Sequence, residues 1–117
     1  PLGRLGALKL VEGETAITNE VTMVSTPGHT PGHMSLAIIS QGERGYLLGD
    51  VVCNPVQIAE PNWDILFDLD KELARRTREV VLDQLERNES LVGGSHFVPP
   101  GFGRIVQGQG RRYFQRV

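Results

Sequence analysis

The chain has 117 residues, 39% of them hydrophobic, 22% charged and only 6% aromatic, with a formal net charge of −2. These figures are those expected of one small soluble domain, with no net field to draw it to nucleic acid or a membrane surface. No apolar run approaches the roughly eighteen residues of a membrane span, and no charged stretch followed by an apolar one marks a signal peptide. The single cysteine, Cys53, excludes an intrachain disulfide and any multi-cysteine zinc site, and fits a cytoplasmic setting.

Residues 1–7 are expected to be a tag scar or a disordered start. Residues 8–11 form a short apolar run closed by the turn signal Glu12-Gly13-Glu14. Residues 21–25, rich in β-branched side chains and closed by Pro27-Gly28, predict a strand. Residues 34–40 predict a second strand, whose nearly continuous apolar run implies burial on both faces. Residues 41–45 read as a hairpin loop, and residues 46–49 as a short strand leading straight into Asp50. The segment 51–69 is irregular, broken by Pro55 and Pro61. Asp70 is a good N-cap, and a helix follows to Asn88 with Leu69, Leu73, Thr77, Val80, Val81 and Leu85 as its apolar stripe. The pairs Glu72/Arg76, Arg75/Glu79 and Asp83/Arg87 place a solvated charged face opposite. Residues 91–95 predict a strand ending at His96, and the tail reads as a hairpin about Gly108-Gln109-Gly110. Strands, one long amphipathic helix and further strands make a layered α/β (α+β) pattern, with the whole chain, residues 1–117, as a single domain.

Three histidines carry most of the chemistry. His29 and His33 share the loop Thr26-Pro-Gly-His-Thr-Pro-Gly-His33, and His96 ends Gly93-Gly-Ser-His96. Asp50 ends Leu47-Leu-Gly-Asp50. Each follows a predicted strand, and strand ends opening into loops are where layered α/β proteins collect functional side chains. Imidazole nitrogen and carboxylate oxygen together suit zinc, iron or manganese. Pro31 and Gly32 exclude a helical i,i+4 ligand pair from His29 and His33.

Taken in order, Thr26-Pro-Gly-His-Thr-Pro-Gly-His-Met-Ser-Leu36, Leu-Gly-Asp50 and Gly-Ser-His96 resemble the third, fourth and fifth motifs of the metallo-β-lactamase superfamily. The tract from His96 through Pro-Pro-Gly to Arg104 resembles its lactonase-like and parathion-hydrolase-like branch. The resemblance implies half of a four-layer αββα sandwich. It implies that His29, Asp50 and His96 are metal ligands, with Asp50 bridging two cations and central to catalysis. His33 and Thr30 would support the loop by hydrogen bonding. The implied reaction is hydrolysis of a small-molecule ester, lactone or phosphoester by metal-held hydroxide, zinc being the expected metal.

The leading motif of that superfamily, His-x-His-x-Asp-His, has no counterpart here. The chain therefore resembles the C-terminal half alone, inactive without its N-terminal half. A self-associating homodimer, or a non-catalytic remnant with at most a weak metal site, are the alternatives. Cys53, three residues beyond Asp50, is a candidate soft ligand, but with no second thiol it reads more readily as a small buried apolar residue. Trp63, Phe67 and Phe97 are candidates for a substrate pocket or equally for core. Asp64 and Asp68 are candidates to face the site, although solvated loop carboxylates are the commoner case. Arg104, Arg111, Arg112 and Arg116 make the tail basic, but only Tyr113 and Phe114 interleave, so no nucleic-acid partner is expected and no membrane contact either.

Overall fold

The computed structural model describes residues 2–117, so Pro1 of the expected start lies outside it. Gly3–Leu5 make one short 3-10 turn in an exposed stretch. Seven strands then form one sheet in chain order. They are β1 (Thr15–Ala16), β2 (Val21–Ser25), β3 (Met34–Ser40), β4 (Glu43–Leu47), β5 (Leu91–Gly93), β6 (Phe102–Gly108) and β7 (Arg111–Arg116). Neighbours are antiparallel except β4 and β5, which run parallel. A parallel pair needs a long crossover. Here it carries α1 (Val56–Ala59), which the sequence did not signal, and α2 (Lys71–Arg87).

Two hairpins close with two-residue turns, Gln41-Gly42 and Gln109-Gly110, in which both central residues have positive φ. That conformation matches the twist of the flanking strands. The loop expected over residues 41–45 thus shrinks to its first two residues, and β4 begins at Glu43.

The Asp70 carboxylate accepts the Leu73 N–H at 2.9 Å, capping α2 as expected. The buried face of α2 differs from the expected stripe. It consists of Ala74, Arg78, Val81, Leu82 and Leu85, whereas Leu69 and Val80 are 74% and 66% exposed. A stripe with an arginine at its centre does not register as apolar in sequence, so the reading is rotated by about one residue. The opposite face is not simply solvated. Arg112 of β7 reaches Glu79 and Glu86 at 2.9 Å each and also contacts Asp83. Arg75 pairs with Asp64 rather than with Glu79.

Val81, Leu82 and Leu85 pack with Tyr46, Val92 and Ile105 of the sheet, with Leu48, Val51 and Val52 beyond β4, and with Ile58 of α1. Register places Ala37, Tyr46, Val92 and Gly103 in line on this covered face. The other face carries Met23, Leu36, Leu47 and Phe102 in line, with Val21 and Ile38 beside them. Leu47 and Phe102 are 37% and 44% exposed there. β3 is accordingly not buried on both faces: Ser35 is buried, Leu36 and Ile38 are half-buried and Ile39 is exposed. No helix among the described residues is long and apolar enough to cross a membrane.

Candidate metal centre

The first loop of the site, residues 26–33, joins β2 to β3 and is tied across its mouth by the Thr26 N–H donating to the His33 carbonyl at 3.0 Å. Gly28 has φ +136°, and a Cβ there would lie 2.4 Å from the Ala74 backbone. Only glycine lets the loop rest directly on α2. The contact is then fastened by hydrogen bonds from Leu69 N–H to the His29 carbonyl and Asp70 N–H to the Gly28 carbonyl, at 3.1 and 3.0 Å. The Thr77 hydroxyl adds a third, to the Pro27 carbonyl at 2.6 Å.

His33 links this loop to the next. Its Nε2 accepts the backbone N–H of Asp50 at 2.8 Å, which puts the ring proton on Nδ1. Nδ1 lies 2.8 Å from the Thr26 hydroxyl and 3.0 Å from the Thr26 carbonyl. The chain of hydroxyls continues from Thr26 to Ser35 at 3.0 Å, and Ser35 donates to the Leu48 carbonyl at 3.1 Å. The supporting hydroxyl is therefore that of buried Thr26. Thr30 is exposed and contributes its carbonyl, which accepts the N–H groups of Gly28 and His33.

Asp50 stands just past β4 on a glycine hinge. Gly49 has φ +57°, and a Cβ on it would come within 2.7 Å of His33 Nε2. The Asp50 carboxylate divides its oxygens between two histidines. Oδ1 lies 2.7 Å from His96 Nε2, and Oδ2 lies 3.6 Å from His29 Nε2. The His96 loop is held to the Asp50 loop by the Ser95 hydroxyl, which donates to the Gly49 carbonyl at 3.0 Å. The turn after it closes on itself, with Gly94 N–H donating to the Gly101 carbonyl at 3.1 Å. The structure thus brings His29, Asp50 and His96 from three loops into one cluster.

Behind His29 stands a buried ion pair. Asp68 Oδ1 lies 3.1 Å from His29 Nδ1, and Asp68 Oδ2 lies 3.4 Å from Arg78 Nη2. The side chains of Asp68 and Arg78 are 0% and 1% exposed. Arg78 also donates to the carbonyls of Val51 at 2.8 Å, Pro61 at 2.7 Å and Trp63 at 3.1 Å. Burial lowers its pKa from the ordinary guanidinium value, and Asp68 opposes that fall. Asp68 is therefore no solvated loop carboxylate, and Arg78 is no surface charge. The local signal for both is absent, because burial arises only when α2 meets the 51–68 segment.

Cys53 is half-buried beside the cluster, with its thiol 4.0 Å from Asp50 Oδ1. Its Sγ, a carboxylate oxygen of Asp50 and a ring nitrogen of His96 all lie within 4.8 Å of one another. Burial, with the charges of Asp50 and Asp68, pushes the thiol up to about 11. Ile65, Leu66 and Phe67 wall the same cleft, which has a volume of about 560 Å³. Of the three aromatic candidates only Phe67 faces it. Phe97 is core, edge-on against Phe114 at 4.6 Å, and Trp63, 57% exposed, does not line the cleft.

Solved structures share this architecture. AidC, a dizinc quorum-quenching lactonase, matches 97% of this chain over 39% of its own length, at TM-score 0.86 and 23% identity. The hydrolase AbOPH of the β-lactamase superfamily matches 86% over 35% of its length, at TM-score 0.79 and 27% identity. A probable metal-dependent hydrolase from Staphylococcus aureus matches 77% over 32%, at TM-score 0.70 and 21% identity. No protein-family model and no curated protein sequence matches. The chain has the metallo-β-lactamase fold, as its three motifs implied. It spans 32% to 39% of the length of these three hydrolases.

Proposed function

We propose that this chain is the C-terminal half of a metal-dependent hydrolase that opens a lactone or cleaves an ester or phosphoester. The observation that carries the reading is Asp50, whose two oxygens face two different histidines, as a carboxylate shared between two cations would. The donor types fit a divalent metal, zinc first: each oxygen of Asp50 faces one imidazole, and the Cys53 thiol joins the Asp50 and His96 donors within 4.8 Å. The same set is short for two cations, which supports the view that further ligands come from outside these residues. The exposed sheet face, with Leu47 and Phe102, supports it too, since contiguous apolar surface marks an interface. Self-association of two copies through that face is the second reading.

His29, Asp50 and His96 would hold the metal, which supplies Lewis acidity and an acidified water when bound. The chain's own groups do the positioning. His33 fixes the backbone of Asp50, so the carboxylate is aimed before any ligand arrives. Ile65, Leu66 and Phe67 offer an apolar wall suited to an acyl or aryl substituent of the substrate.

The test is co-expression with an N-terminal half bearing the His-x-His-x-Asp-His motif. Metal content and turnover of a lactone and an aryl phosphotriester are then measured with added zinc, manganese or cobalt. Restored metal-dependent turnover that Asp50→Ala removes is the expected result. Efficient turnover by the 117-residue chain alone, lost in Asp50→Ala, would overturn the half-site reading.

A further inference from the structure

His29 lies between two carboxylates, Asp50 at Nε2 and Asp68 at Nδ1, and only Asp68 is sealed from water. Arg78 donates to one oxygen of Asp68 at 3.4 Å, and the other oxygen faces His29 Nδ1 at 3.1 Å as an acceptor. We propose that the Asp68–Arg78 pair is a positioning device for His29: it keeps the ring proton on Nδ1 and turns the Nε2 lone pair toward Asp50. Arg78 is the foundation. It has donors only, and spends them on Asp68 and on the carbonyls of Val51, Pro61 and Trp63. One guanidinium on α2 therefore ties down the residue next to Asp50 and the carboxylate behind His29. Two loops of the cluster are set by a single helix position.

The role rests on the metal-centre reading for its consequence, but not for its first test. In Asp68→Asn, Arg78 can be satisfied only by the amide oxygen, because both groups otherwise present N–H. The amide NH₂ then points at His29 Nδ1, which must accept. The proton moves to Nε2, and the lone pair facing Asp50 is lost.

Long-range ¹H–¹⁵N NMR of histidine-labelled, metal-free protein, at a pH where the rings are neutral, reads this directly. Wild-type His29 is expected as the Nδ1–H tautomer and Asp68→Asn as Nε2–H. His33 serves as internal reference, staying Nδ1–H in both because Nε2 accepts from Asp50. Zinc affinity, by competition with a chromophoric chelator, is expected to fall ten- to a hundredfold in Asp68→Asn, as for outer partners of ligating histidines. In a His29→Ala background the same substitution is expected to change zinc affinity no further. Wild-type His29 carrying its proton on Nε2 would overturn the proposal without recourse to any variant. So would equal losses in the two backgrounds, which would mean that Asp68 acts only on folding. If the chain binds no zinc, the metal-centre reading fails, while the tautomer of His29 still decides this one.

Discussion

Gly49→Ala tests how tightly the Asp50 loop is built. Two effects add. The native φ of +57° lies in the left-handed region, where an L side chain costs about 1 kcal/mol. The new methyl would also stand 2.7 Å from His33 Nε2 and 3.0 Å from its Cε1. The ring must move, and Nε2 loses the Asp50 N–H, worth about 1 kcal/mol, with about another 1 kcal/mol for the strained rotamer. The total is about 3 kcal/mol, or a fall in Tm of roughly 12 °C at about 4 °C per kcal/mol for a chain of this size. In a His33→Ala background the clash is gone, and the same substitution should cost only about 1 kcal/mol, the backbone part. Thermal unfolding of the four proteins gives the coupling, expected at about 2 kcal/mol. Equal costs in the two backgrounds would show that His33 does not brace this turn.

Further outcomes can be checked separately. Asp50→Ala should abolish cation retained through purification without chelator, while His33→Ala should retain part of it; equal metal in wild type and Asp50→Ala refutes the cluster as a cation site. Leu82→Ala, at a side chain 0% exposed, should cost about 3 kcal/mol in denaturant unfolding, whereas Val80→Ala, 66% exposed, should stay within about 0.5 kcal/mol. The reverse order would return the helix to the orientation read from sequence. The hydrogen bond from Arg75, at 2.7 Å, holds the Asp64 carboxyl below its ordinary range, so its small stabilisation is present above that range and fades as pH falls through the lowered value. Arg75→Ala should raise the Asp64 midpoint in a carboxyl NMR titration; an unmoved midpoint contradicts the pairing. Sedimentation equilibrium should find the isolated chain self-associated, since Leu36, Leu47 and Phe102 face outward together; a well-folded monomer at high concentration would sink that expectation.

Much of the frame was legible in the chain because it depends on local chemistry. A β-branched run marked β2 and a nearly continuous apolar run marked β3, Asp70 marked the start of α2, and glycine-bearing turns marked the hairpins. His29, Asp50 and His96 stood out because each followed a strand into a loop. What the sequence could not carry was set by contacts between distant segments. The face of α2 was misread because its central buried residue is Arg78, whose charge is tolerable only beside Asp68 and three carbonyls supplied by residues 51–63. Asp68 was one of two loop carboxylates that could face the site, and only its burial beside that helix singled it out from Asp64. Thr26 and Thr30 are equivalent in the motif, yet sheet pairing buries the first beside Ser35 and leaves the second in water. Local propensity fixed which residues form strands, helix and turns; burial, which belongs to no single segment, decided which of the polar ones became the scaffold of the site.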